Sequence, residues 1–97
     1  MKVEIRRTGG FAGLEEELAS LDTAKMSPDQ ARQLEERIRS MAFFGLASSF
    51  GTHITGADLY RFRITVEDGS RRHTVEFPDH DSPELTPLRE LVQTLVR

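Results

Sequence analysis

The side chains best suited to chemistry in this chain are three histidines, His53, His73 and His80. They form no His-x-x-x-His pair, and none stands at a zinc-ligand spacing from another ligand type. His73 falls on the apolar face of a predicted strand, which favours a core histidine with a satisfied hydrogen bond. His80 lies between Asp79 and Asp81, where an exposed polar turn is a better interpretation than a metal site. The histidines therefore indicate no catalytic centre.

The remaining reactive side chains also lack the arrangement that an enzyme needs. The chain contains no cysteine, which excludes disulfides, thiolate zinc sites and cysteine nucleophiles together. No serine stands in a Gly-x-Ser-x-Gly elbow, and the acidic run at residues 15–17 is typical of a solvated surface. The glycine-rich segment 9–13 lacks the Lys-Ser or Lys-Thr of a phosphate-binding P-loop. We therefore expect a protein that is not an enzyme and has no cofactor and no metal ion of its own.

Length and charge limit the classes of partner. The 97 residues fit a single domain, residues 1–97. The net charge is −3, whereas a protein that binds nucleic acid usually shows a basic excess. The charged N-terminal segment is no signal peptide, and no run approaches the roughly 20 apolar residues of a membrane span. We therefore expect a cytoplasmic protein with neither nucleic acid nor a membrane as its partner.

Alternating and helical patterns predict the elements that position these residues. Residues 2–7 and the two arms on either side of Asp68-Gly69 alternate apolar with polar side chains, which predicts a strand and a β-hairpin. Ser27-Pro28-Asp29-Gln30 predicts a helix start, and the helix continues to about Met41. A second helix begins at Ser82-Pro83 or at Thr86-Pro87.

Two segments are less clear. In residues 14–22, the spacing of Leu14, Leu18 and Leu21 slightly favours a helix, although a hairpin partner is expected directly after a strand and a glycine turn. Residues 42–58 form the longest irregular stretch, and such a connection in a small domain is typically functional or mobile.

Phe11 is the side chain that the predicted elements explain least. It lies in a loop among the small residues Gly9, Gly10, Ala12 and Gly13, where little core is within reach. An exposed aromatic side chain at such a place is typical of an anchor, by which we mean a side chain that enters a pocket of a partner protein. The alternative is that Phe11 folds back onto the end of the sheet, and the residues alone leave both interpretations open.

Several blocks of the sequence resemble one protein family. The resemblance is carried by four blocks: the opening segment MKVEIRRTGGFAGL, residues 56–62, residues 65–75 and the helix start Leu85-Thr86-Pro87-Leu88. They are similar to the emfourin family, small bacterial proteins found beside genes for protealysin-like enzymes, which inhibit thermolysin-type zinc metallopeptidases. The resemblance covers nearly the whole chain, and its first block is the most specific.

The resemblance implies an α+β fold. Its sheet has four antiparallel strands in two β-hairpins, with two helices packed on one face. Residues 14–22 then become a strand paired with residues 2–7, and we adopt this prediction over the helix. In this topology the loops 8–14, 42–58 and 78–82 gather at one end of the sheet.

The resemblance also implies a site that occludes the cleft of a thermolysin-like metallopeptidase. The predicted protease-binding residues are Gly9, Gly10, Phe11, Ala12, Gly13, Leu14 and Asp58. Asp58 is the first choice for a carboxylate that ligates the zinc ion of the target, and its alternative role is to cap the start of a strand.

Further residues complete the prediction. Asp79 and Asp81 are the fallback carboxylates, and Phe50 and Ile54 are candidates for additional contacts. A different class of function also remains open at this point. In that alternative, the chain is an accessory module that binds another protein or a nucleic acid through the sheet face bearing Arg61 and Arg63.

Overall fold

The computed structural model describes residues 1–9, 15–51 and 59–96, and within these ranges it contains four strands and two α-helices. The strands are β1 (Lys2–Gly9), β2 (Glu16–Asp22), β3 (Tyr60–Asp68) and β4 (Arg71–Pro78). The helices are α1 (Pro28–Ser40) and α2 (Thr86–Leu95). The predicted α+β fold is confirmed.

The sheet has the strand order β2-β1-β3-β4, and every neighbouring pair is antiparallel. Two hairpins, β1–β2 and β3–β4, are therefore joined along the β1–β3 pair. Val3 lies opposite Val66 and Ile5 opposite Ile64, so the apolar residues of both strands share one face. All four of these side chains are buried.

The preference for a helix in residues 14–22 is wrong, and the strand that the family resemblance implies is confirmed for Glu16–Asp22. The cause of the misleading pattern is a β-bulge. Ile5 pairs with Ala19 and Arg6 with Glu17, so Leu18 is the extra residue on β2. The bulge interrupts strict alternation and leaves leucines at a helix-like spacing. Backbone pairing with β1 outweighs the local helix preference of the segment.

Both helices pack against the same apolar face of the sheet. Their contribution to the core is Leu34, Ile38, Leu88, Leu91 and Val92, all buried in one cluster with residues of β1, β3 and β4. The predicted start of α1 is confirmed, because Ser27 Oγ accepts a hydrogen bond of 3.3 Å from the backbone N–H of Gln30. Within the described ranges, neither helix has the length and apolar character required to cross a bilayer.

The start of α2 uses both predicted entry points. A 3-10 helix covers Pro83–Leu85, and α2 follows directly at Thr86. Proline therefore occupies the first turn of each of these elements, where its missing N–H costs no hydrogen bond.

His73 is a structural histidine, as its place in the strand predicted. Its Nε2 donates a hydrogen bond of 2.7 Å to the carbonyl oxygen of Leu46. Its ring meets the buried ring of Phe43 edge to face, with 5.7 Å between the centroids. Both features tie β4 to the segment that follows α1.

Candidate functional site

Three connections leave the sheet at the same end. β1 ends at Gly9, which pairs with Tyr60 at the start of β3. β4 ends at Pro78, opposite Arg61 on β3. Just beyond it, the backbone N–H of Asp79 donates a hydrogen bond of 2.7 Å to the carbonyl of Tyr60. We call this part of the molecule the loop end, and it comprises Gly9, Glu15, Glu16, Tyr60 and residues 79–82.

The long connection between α1 and β3 runs toward the same end. Ser49 forms a parallel bridge with Glu76 on β4. Phe50 N–H donates to the Glu76 carbonyl and Glu76 N–H donates to the Ser48 carbonyl, both at 2.9 Å. Because the bridge is parallel, the chain here follows the direction of β4 toward Pro78. The ends of the described segments thus converge as the predicted topology requires.

The predicted site residues divide into two groups. The first group lies outside the described residues, so the assignments in it remain predictions. Its members are Gly10, Phe11, Ala12, Gly13, Leu14, Ile54 and Asp58. Gly9, Phe50, Asp79 and Asp81 are described. Of these, Phe50 is partly buried and packs against the hydrophobic core.

Gly9 has a conformation and surroundings that favour glycine. Its φ is +88°, in the region that L side chains rarely adopt. A Cβ atom built on Gly9 would lie 3.0 Å from the carbonyl oxygen of Leu59, which is tighter than ordinary contact. Gly9 therefore lets β1 turn into the loop while β1 stays paired with β3.

Substitution of Gly9 by alanine should lower the free energy of unfolding by about 1–3 kcal/mol, because strain and a close backbone contact act together. Gly45→Ala is the matched control, since no atom lies within 4 Å of a Cβ built there and its φ is not positive. That variant should stay within about 0.5 kcal/mol of the wild type. Urea denaturation measures both, and equal losses would contradict the role given to Gly9.

The two carboxylates of the turn after β4 have different environments. Asp79 Oδ1 lies 3.0 Å from Arg89 Nη1, an ion pair that ties the turn to α2. Asp81 is exposed and has no hydrogen bond or ion pair with any residue that the structure describes. Among the described residues, no group of three His, Asp or Glu side chains could hold a metal ion.

The acidic run at the start of β2 is exposed, as expected, but it is also paired with arginines of the sheet. Glu16 forms an ion pair with Arg7. Glu15 Oε1 lies 3.4 Å from Arg6 Nη1 and 3.7 Å from Arg63 Nη1. These contacts connect the returning arm of the first hairpin to β1 and β3, so the carboxylates help to hold the loop end together.

Charges of opposite sign alternate on the sheet face away from the helices. Glu4 Oε1 accepts a hydrogen bond of 2.7 Å from Arg6 Nε, and Arg63 donates two hydrogen bonds, of 3.0 and 2.8 Å, to Glu76. The hydrogen bond and charge of Glu4 raise the pKa of Arg6 above its ordinary value, so Arg6 stays charged. Neighbouring carboxylates therefore neutralise Arg6 and Arg63 on this face.

Tyr60 belongs to the loop end, although its place in the alternating pattern of a strand indicated no functional role. The alternating pattern of β3 places Tyr60 on the face that carries the core, but 38% of the surface of Tyr60 remains exposed. The guanidinium of Arg7 lies over its ring, 4.4 Å from the centroid. Its position as the first residue of a strand, next to a loop, was the signal that could have identified it.

The chain is a small α+β protein in which a four-stranded antiparallel sheet carries several connections at one end. The family model for Emfourin matches residues 5–95. The chain therefore belongs to the Emfourin family, as the resemblance in its sequence indicated. No curated protein and no solved structure matches the chain. Membership of this family suggests a role as a metallopeptidase inhibitor.

Proposed function

We propose that this protein inhibits a thermolysin-like, protealysin-like zinc metallopeptidase by occluding its active-site cleft. Loops 8–14 and 42–58 enter or cover the cleft, and residues 78–82 form a third contact. The observation that carries the proposal, beside family membership, is the convergence at Tyr60, where β1 ends and the turn after β4 begins.

The chemistry of such a cleft defines what the inhibitor must supply. A carboxylate that replaces the zinc-bound water must approach the metal to about 2.0–2.2 Å. An apolar side chain must fill a neighbouring specificity pocket. In our proposal Asp58 supplies the carboxylate and Phe11 and Leu14 the apolar contacts. Asp81 is the better fallback carboxylate, because Asp79 is already paired with Arg89.

The sheet supports this function by limiting the cost of binding. The strands on either side of loop 8–14 pair with each other, from Arg7 opposite Glu16 to Lys2 opposite Asp22. A loop held at both ends loses less conformational freedom when it binds a partner. Three loops at one end can supply the roughly 800 Å² per partner of a standard interface.

Titration of a thermolysin-family protease with the purified protein tests the proposal. We expect peptide hydrolysis to be lost at a one-to-one molar ratio of protein to protease. We also expect that added zinc does not restore the activity. Recovery with zinc would indicate removal of the metal instead of occlusion. Trypsin, which has no zinc, is the control and should keep its activity. Absence of inhibition at micromolar concentration, including of a protease encoded by a neighbouring gene, would contradict the proposal.

Charge reversal on the sheet face tests the alternative of an accessory module. In the variant Arg61→Glu, we expect the inhibition constant to stay within about threefold of the wild type, because Arg61 lies on the sheet face outside the proposed contact loops, whereas Arg63 is paired with Glu15 and Glu76. The measurement is the inhibition constant at two salt concentrations, with thermal unfolding to verify folding. If this variant loses binding while Phe11→Ala keeps it, the sheet face is the binding surface.

A further inference from the structure

Within the parts of the chain that the structure describes, Tyr60 is the most exposed large hydrophobic residue, with 38% of its surface accessible. The next residues of β3 on the same face behave differently, since Phe62 is 8% exposed and Ile64 is fully buried. At 38% exposure, Tyr60 therefore leaves more of its surface open to a partner than Phe62 or Ile64 does.

The position of Tyr60 places it beside two of the proposed contact loops. It lies opposite Gly9, the last described residue in the first part of loop 8–14. Its carbonyl accepts the hydrogen bond from Asp79 N–H, at the start of the turn after β4. A protein that contacts these loops together meets the Tyr60 ring between them.

The ring is held by its neighbours before any partner arrives. The Arg7 guanidinium lies 4.4 Å from the ring centroid, and Arg7 is itself paired with Glu16. A cation over an aromatic face is attracted to it, and the ion pair restrains the guanidinium. Ordering of the ring in the free protein reduces the entropy that binding has to remove.

The local charge indicates what kind of surface the ring meets. The guanidinium of Arg7, which lies over the ring, is paired with Glu16, so the positive charge next to the ring is balanced. Tyrosine contributes a large, rigid apolar area with a hydroxyl at its end, and it is enriched in the centres of protein interfaces. An apolar partner surface with few charges fits these properties best.

We infer that Tyr60 is a further protease-binding residue, whose ring packs on an apolar surface at the rim of the target cleft, beside the loop that carries Phe11. The inference rests on the proposed function and adds a residue of the paired sheet to a site otherwise made of loops. Arg7 is a positioning residue in this arrangement, since it acts through the ring.

The test compares Tyr60 with an aromatic residue in similar surroundings at the other end of the sheet. Phe44 lies under the guanidinium of Arg71, 4.3 Å from its ring centroid, and Arg71 is paired with Asp68 at 3.2 Å. Inhibition constants for the metallopeptidase are measured for the wild type, Tyr60→Ala, Tyr60→Phe and Phe44→Ala. Circular dichroism at the assay temperature verifies that each variant is folded.

Tyr60→Ala should raise the inhibition constant about 10- to 30-fold, because the ring contact with the protease is lost. Tyr60→Phe keeps the ring and should stay within about threefold. Phe44→Ala should lower the melting temperature but leave inhibition unchanged, since Phe44 packs partly against the core. If Tyr60→Ala inhibits as well as the wild type, the inference is wrong while the proposed function stands. A folded wild-type protein that inhibits no metallopeptidase overturns both.

Discussion

Replacement of Phe11 by alanine is expected to raise the inhibition constant for the metallopeptidase about 100-fold, which corresponds to about 2.7 kcal/mol of binding free energy. The reason is the proposed role of Phe11 as an anchor, in which its ring fills a pocket of the protease. The melting temperature should stay within about 2 °C of the wild type. Steady-state inhibition and thermal unfolding of the same preparation measure both quantities.

A second phenylalanine provides the control for this prediction. Phe50 is partly buried against the core, so Phe50→Ala should reduce stability more than Phe11→Ala and inhibition less. The opposite interpretation of Phe11, in which its ring folds back onto the end of the sheet, makes the reverse prediction. In that case Phe11→Ala lowers the melting temperature and inhibition is retained, and the role of Phe11 as an anchor is excluded.

Substitution of Asp58 by asparagine is expected to weaken inhibition by a similar factor, about 100-fold. An asparagine amide has nearly the shape of the carboxylate but carries no negative charge for a zinc ion. Asparagine also caps backbone N–H groups about as well as aspartate, so a residue that only caps a strand start tolerates this change. The Asp58→Asn variant therefore separates the zinc-directed role from the turn role. The measurement is the inhibition constant against the zinc enzyme.

The two aspartates after β4 serve as controls for Asp58. Asp79→Asn should weaken inhibition by no more than about threefold, because a contact at the edge of the interface contributes little. It should cost at most about 1 kcal/mol of stability, because its ion pair with Arg89 is partly exposed. Asp81→Asn should have a similarly small effect on inhibition. If Asp58→Asn inhibits normally and Asp81→Asn does not, the carboxylate comes from the turn after β4, and Asp58 has only a structural role.

Local pattern was sufficient for the elements whose stabilising contacts lie close in sequence. The start of α1 follows from Ser27 and Pro28, and the β3–β4 hairpin from its alternation on either side of Asp68-Gly69. Gly69 has a φ of +63°, as a two-residue turn of this kind demands. These features depend on capping and turn conformation, which a few neighbouring residues decide.

The second strand was not predictable in the same way. Its residues favour a helix locally, and the bulge at Leu18 removes the alternation that identifies a strand. Its conformation depends on hydrogen bonds to β1 and on ion pairs such as Arg7–Glu16, which join residues nine positions apart. Only the family resemblance carried this information before the structure did.

The candidate site divides along the same line. The residue types alone indicated a glycine-rich loop and a phenylalanine, Phe11, that the predicted elements did not explain. They could do so because conformational freedom and polarity are local properties. The assembled sheet alone decided that Gly9 lies against Leu59, that Asp79 is paired with Arg89 and that Tyr60 stays exposed beside both. These relations depend on strand register and helix packing, which bring together residues far apart in the chain, such as Gly9 and Tyr60, 51 positions apart.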